Sequence, residues 1–185
     1  MKLQCVIIVV LFVSSTYGVD LIQLSGENDV CDPVSGIRYK FFYESKSTWT
    51  VAVDDCFADG GQLATVNYLG LHKRIRRYIN SQPNIVNPLG DGYWINGNDR
   101  MAEGYHVLLD GAPLTYTEGW HSEEVGGVNI TQPNNNVARD CHGQDCLQLW
   151  QRPKNVPGKL PSWNLDDEYC FELKSYLCEY PGTAC

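Results

Sequence analysis

Between residues 132 and 179 the chain reads, in order, Gln132-Pro133-Asn134-Asn135-Asn136, Asp145-Cys146-Leu147-Gln148-Leu149-Trp150, Trp163-Asn164-Leu165-Asp166-Asp167-Glu168-Tyr169-Cys170 and Tyr176-Leu177-Cys178-Glu179. Short apolar segments that carry cysteines alternate here with loops rich in amide and carboxylate oxygens. Loops of that kind, pinned by disulfides, suit a hard cation such as Ca2+, which takes roughly six to eight oxygen ligands in flexible geometry.

Working outward, Trp94-Ile95-Asn96-Gly97 comes first, then Asp99 with Glu103-Gly104, then Asp110-Gly111-Ala112-Pro113-Leu114-Thr115-Tyr116 with Trp120. Each segment alone is a weak signal. Their order, followed by QPN, D-C, W-N, Cys and C-E, closely resembles the C-type lectin-like domain across about residues 36–180. The resemblance implies a disulfide-stabilised α+β fold with two helices, small antiparallel sheets and a long ligand-carrying loop region.

The first residues are consistent with export. Met1-Lys2, an apolar run from Val6 to Val13 and small residues up to Gly18 describe a signal peptide over residues 1–18. No later apolar run approaches the roughly 20 residues needed to span a bilayer. The expected organisation is a short polar segment at 19–30 and one domain at 31–185. Without Lys2 and Cys5, 13 basic residues face 22 acidic ones, a net charge of −9, and seven cysteines remain. So acidic a chain is poorly suited to nucleic acid, whose binding relies on basic contacts to phosphate. Cysteine abundance in an exported chain points to a disulfide framework with one thiol left over or paired between chains.

Periodicity supplies the elements. Ile37–Tyr43 alternates and is rich in aromatics, as an early strand does. Thr48–Asp59 reads as a helix with Trp49, Val53, Cys56 and Phe57 on one face, Ser47 or Thr48 as cap and Gly60-Gly61 as its end. A second helix is expected over Tyr68–Ile79, capped by Asn67, with Leu71, Ile75, Tyr78 and Ile79 inward. His72, Lys73, Arg74, Arg76 and Arg77 form its other face, which reads as a solvated side rather than a site for sulfated glycans. Loop follows through Pro83, Pro88 and Gly90, then a strand at Tyr93–Ile95. Glu118–Pro161 shows little periodicity except at Cys146–Trp150, and long irregular stretches tend to be functional or disordered.

Spacing alone cannot pair the cysteines. The resemblance implies Cys56 with Cys178 and Cys146 with Cys170. Cys31, Cys141 and Cys185 match no simple family position; since the two ends of that fold lie close together, Cys31 is expected to pair with Cys185. Cys141 is then free, or links two chains in a disulfide-bonded homodimer.

The ligand set also comes from the resemblance. In sugar-binding members one Ca2+ is held by the two residues flanking a cis-proline, a carboxylate before D-C, and the Asn and Asp of W-N-D. Those side chains also hydrogen-bond a vicinal pair of sugar hydroxyls. The corresponding residues here are Gln132, Asn134, Gln144, Asn164 and either Asp166 or Asp167, for calcium and sugar alike. Amides where carboxylates are usual leave this site depleted of charge. A second, auxiliary Ca2+ position corresponds to Asp99, Glu103, Asn135 and Asp145. EPN implies mannose-type and QPD galactose-type ligands; the hybrid QPN follows neither pattern, with galactose the slight favourite. Asn129-Ile130-Thr131 is an N-glycosylation acceptor close to Gln132.

Three tryptophans, Trp120, Trp150 and Trp163, are expected to pack rather than stack on sugar. Asp140-Cys141-His142 suggests a metal or a nucleophile, but His72, His106 and His121 have no spacing that supplies an oriented base, so no catalysis is expected, and zinc would need a denser Cys/His set. The sequence is therefore read as a secreted, calcium-dependent glycan-binding lectin, for instance one recognising microbial or cell-surface glycans. The competing reading is a calcium-independent module that binds protein.

Overall fold

The computed structural model describes residues 19–152 and 160–182, so the expected signal peptide and Cys185 lie outside the described residues. Strands β1 (Ile22–Gln23) and β2 (Asp29–Asp32) form a hairpin that pairs through β2 onto β3 (Ile37–Ser47). Leu21 and Val30 are buried in the main core. Residues 21–30 therefore extend the sheet, and the boundary expected at residue 31 falls inside β2. The apolar residues here, Leu21, Ile22, Leu24 and Val30, do not alternate, so the sequence pattern does not reveal a strand.

Helix α1 (Trp49–Ala58) starts at Thr48, whose Oγ1 accepts from the Val51 amide, and ends at Asp59 before Gly60 at φ 84°. Trp49, Ala52 and Cys56 are buried, but Phe57, expected on the same face, is 81% exposed. The covered stripe on α1 is narrow, and Phe57 stands one residue beyond it. Replacing Phe57 with Ser should change stability by no more than about 0.5 kcal/mol; a denaturant melt tests this, and a larger loss would mean that Phe57 packs.

Helix α2 (Leu69–Ser81) buries Leu71, Ile75, Tyr78 and Ile79 as its period predicts, although Tyr68 rather than Asn67 occupies the cap position. Its other flank is not simply solvated. His72 is buried between the Tyr116 hydroxyl and the Trp163 carbonyl, at 2.9 and 2.6 Å, and burial pushes its pKa down to about 4. Arg74 is buried in an ion pair with Asp32 at 2.8 Å. Chain distant in sequence folds over this flank, which local periodicity cannot register.

The remaining strands are β4 (Gln62–Leu63), β5 (Gly92–Asn98), β6 (Ser122–Val125), β7 (Val128–Thr131), β8 (Cys146–Trp150), β9 (Asn164–Glu168) and β10 (Lys174–Tyr180). The main sheet runs β1-β2-β3-β10-β5-β8-β9, with β4 also on β10. Its pairs are antiparallel except β5 with β10. The exposed hairpin β6–β7 lies in the stretch that lacked periodicity; its Gly126-Gly127 turn, with φ of 60° and 83°, was the available signal.

One core lies between α2 and the sheet, with Phe41, Ile75, Ile79, Tyr93, Leu149, Trp163 and Leu177 buried. A smaller one lies under α1, with Trp49, Leu63, Trp94 and Tyr176. Trp163 is fully buried, whereas Trp120 and Trp150 are half-buried with their rings edge-on to His106 and His121. Cys56–Cys178 ties α1 to β10, and Cys146–Cys170 ties β8 to the end of β9. Cys31 is disulfide-bonded, and Cys141 is free and exposed. Next to Cys178, the buried Glu179 carboxylate accepts from Gln62 Nε2 and from the Thr65 amide and hydroxyl, fixing the chain after β4 onto β10. Among the described residues no helix is long and apolar enough to cross a membrane.

Candidate metal and ligand site

Four segments meet at one end of the sheet. The loop starting at Gln132 is anchored by its amide to the His121 carbonyl, and the His121 amide in turn donates to Leu165 on β9. The Gln132–Pro133 bond is cis. Beyond it the chain turns over the end of β9, where Asp167 accepts from the Asn134 amide at 3.0 Å and the Asn135 amide at 2.6 Å. Asn135, at φ 43°, then turns its Oδ1 to the Gln144 amide at 2.9 Å. The fourth segment follows β5: the Asp99 amide donates to the Asp145 carbonyl, and Asp99 Oδ2 accepts from Gly104.

The electrostatics of this cluster are unfavourable as they stand. Burial, reinforced by the charges of Asp145 and Asp167, raises the Asp99 pKa. Burial and the charges of Asp99, Asp145 and Asp167 raise that of Glu103, against a hydrogen bond from Asn135. Burial also raises Asp145 and Asp167, the latter despite two backbone hydrogen bonds. None of the four pairs with Lys or Arg among the described residues, and the buried Asp99 Oδ1 and Gln132 Oε1 have no partner. His106 Nε2 lies 3.6 Å from Asp99 Oδ2, but burial lowers its pKa. The charges of His142 and Arg100 offset the effect of burial on Asp145 only in part. Crowded carboxylates with orphaned oxygens form a donor set that fits a hard cation.

The residues match the model of the Lectin C-type domain from 45 to 180. The chain belongs to the C-type lectin domain family. It shares 28% identity over 160 residues with a tetranectin-like protein of Carcharhinus perezii, covering 85% of this chain and 81% of that one. It shares the same identity, over 86% of itself and 92% of the relative, with salivary C-type lectin 2 of Aedes albopictus. A solved calcium-independent type II antifreeze protein has the same fold, with a TM-score of 0.54 and 17% identity over 87% of this chain and 95% of that chain.

Within this C-type lectin domain, the residues expected at the auxiliary position, Asp99, Glu103, Asn135 and Asp145, come together, and Asp167 joins them. The residues expected at the principal position are more scattered. Gln132 and Asn134 lie on the loop beside Asp167. Gln144 also lies there, but its Oε1 accepts from the Asn136 amide at 3.2 Å and its Nε2 donates to Glu168 at 2.8 Å. Asn164 pairs with Trp150 at the far end of β9, three residues from Asp167 and so about 10 Å away. Asp166 faces the other side of the sheet, where it accepts from Gln148 Nε2 at 2.7 Å. Alternation along a regular strand separates Asp166 from Asp167, a fact invisible until β9 is known to be a strand. Glu168, absent from the expected set, holds Gln144 and lies 3.3 Å from Lys174. Only its proximity to Cys170 hinted at it.

Burial first, then the neighbouring Asp167 charge, pushes the Asp166 pKa up to about 8. Asp166 Oδ1 and Gln148 Oε1 are both buried without partners. Asp166→Asn keeps an acceptor for Gln148 and removes the ionisable group. A carboxyl raised in the folded state supports stability at acid pH and loses that contribution as pH rises towards its folded value. The substitution should therefore raise Tm by roughly 2–4 °C near pH 8, corresponding to about 1 kcal/mol, and by less at pH 5. Melts at the two pH values test this; an equal or larger gain at pH 5 would contradict it.

Proposed function

We propose that this domain is an exported lectin that holds Ca2+ and binds glycans in a calcium-dependent way. The observation that carries the reading is the gathering of Asp99, Glu103, Asp145 and Asp167 about Asn135 with no Lys or Arg ion pair among the described residues and with Asp99 Oδ1 orphaned inside. Asp99, Glu103, Asn135 and Asp145 would hold the ion. When bound there, Ca2+ supplies positive charge that offsets the carboxylates and steadies the loop beneath the triplet. Asp167 holds the Asn134 and Asn135 amides, so the Gln132-Pro133-Asn134 triplet rests on the same acidic floor. The exposed Asn134 side-chain amide offers both an acceptor and a donor to sugar hydroxyls. Export is supported by the apolar run at Val6–Val13 and by the disulfides.

Calcium titration by calorimetry, with retention on immobilised galactose and mannose, tests the proposal. Retention should require calcium and be lost with chelator. Unchanged Tm in calcium and chelator, together with no binding on a glycan array, would overturn it, because a ligand that binds only the folded state must stabilise it.

The pH dependence should change sign with calcium. In chelator, the raised carboxylates repel one another at neutral pH, and lowering pH towards their folded pKa values relieves the repulsion and stabilises the fold. With calcium bound, the same protonation competes with the ion and destabilises it. Melts at about pH 7 and pH 5 with and without calcium check this; parallel slopes in both conditions would contradict it.

The second reading, a calcium-independent module for a protein ligand, is favoured by one contact set and one motif. Both polar groups of the Gln144 side chain are used within the chain. The Asn129 acceptor lies exposed on β7, next to the loop that begins at Gln132, so a glycan there would crowd the triplet.

A further inference from the structure

The loop that closes the site carries a second donor set of a different chemical kind. Asp140, Cys141 and His142 present a carboxylate, a thiol and an imidazole whose ligand atoms all lie within 4.8 Å of one another. Hard cations prefer oxygen, whereas thiolate together with imidazole favours a softer, borderline metal ion. We propose that Asp140, Cys141 and His142 bind a transition-metal ion of the zinc class, separately from the calcium position.

The loop is held on both sides of the triplet. Upstream, the Arg139 amide donates to the Tyr169 hydroxyl at 3.1 Å, and the Arg139 side chain pairs with Glu172. Within it, the His142 amide donates to Asp140 Oδ1 at 3.0 Å and the Gly143 amide to the Asp140 carbonyl at 3.0 Å. That arrangement leaves Asp140 Oδ2 for the metal and sets the three side chains on one turn. Downstream, Gly143 sits at φ 87° against Asn135, where an added Cβ would come within 1.5 Å of Asn135 Oδ1. Zn2+ bonds to S, N and O lie near 2.0–2.3 Å, so moderate closure of the three side chains suffices. On binding, the thiol yields its proton to solvent and the thiolate forms the metal–sulfur bond; no electrons are transferred. The fourth position is open to water. A bound metal would also account for an exposed thiol in a chain whose other described cysteines are disulfide-bonded.

The test uses the full mature protein with its disulfides intact, titrated with Co2+ as a spectroscopic substitute for Zn2+, in saturating Ca2+. One equivalent of Co2+ should produce thiolate-to-cobalt charge-transfer absorption that Zn2+ then displaces. Cys141→Ser should abolish that absorption, and His142→Ala should weaken binding at least tenfold, while both variants keep the wild-type Tm without transition metal. No absorption, or absorption unchanged in Cys141→Ser, would overturn the proposal. So would a non-reducing gel showing Cys141 consumed in an interchain disulfide with no metal taken up. The cobalt readout is independent of calcium and glycan binding, so either proposal can fail alone.

Discussion

Asp167→Asn is expected to remove most of the calcium response of this domain while costing the metal-free protein less than the calcium-bound one. The Asp167 carboxylate accepts from the amides of Asn134 and Asn135 and so seats the Gln132–Asn135 turn on the end of β9. An amide in its place keeps one acceptor oxygen but turns an NH2 towards backbone donors. Hydrogen bonds to a charged acceptor contribute about 1.5–3 kcal/mol each. Without calcium that loss is offset in part, because one of four mutually repelling carboxylates has gone. With calcium the offset disappears, and the cluster has one less charge for the ion. Calcium affinity should fall about tenfold to a hundredfold, since each factor of ten corresponds to about 1.4 kcal/mol. The calcium-induced rise in Tm should shrink accordingly. Glu124→Gln, which removes the same charge from an exposed position on β6, is the control and should leave the response intact. An Asp167→Asn protein with the wild-type calcium shift would show that this carboxylate does not belong to the metal-sensitive cluster.

Removing the Cys56–Cys178 bridge should cost the fold more than removing Cys146–Cys170. The first bridge spans 122 residues and the second 24. Restricting the unfolded chain by closing loops of about those lengths stabilises by roughly 5 and 3 kcal/mol respectively. The longer bridge also holds α1 against β10, with both sulfurs fully buried in the smaller core. A Cys56→Ala, Cys178→Ala double variant should therefore lose roughly 5 kcal/mol, a third or more of the about 5–15 kcal/mol of a typical domain. The Cys146→Ala, Cys170→Ala variant should remain folded but respond more weakly to calcium, because β8 and the end of β9 carry Asp145 and Asp167. Denaturant melts of both variants, with and without calcium, check the order. Equal losses, or a larger loss from the shorter bridge, would contradict the loop-closure argument.

The parts of the site legible in the sequence were those whose identity lies in local chemistry. The QPN triplet, D-C, Asp99 and Glu103 could be singled out because each keeps its motif whatever the surrounding chain does. Asn164 and Asp166 were harder. Their roles depend on which way each side chain points, and that is set by the β8–β9 register, with Leu165 opposite Leu149 and Asp167 opposite Leu147. A shift of one residue reverses every side chain on such a strand, and nothing next to Trp163 in the sequence reports the register. Phe57, His72 and Arg74 show the same limit in the helices. Helical spacing says which residues share a face, but not how much of that face another segment will cover.

Taken alone, the order of residues determined the oxygen-rich character of the loops and, through the resemblance its motif series carries, the family and the two disulfide pairs, because a motif series survives without coordinates. Only the folded chain decided which oxygens share one space. Asp99, Asp145 and Asp167 lie as many as 68 positions apart in the sequence. They crowd together because β5, β8 and β9 are neighbours in one sheet and end at the same edge, and that proximity creates the charge a cation would relieve.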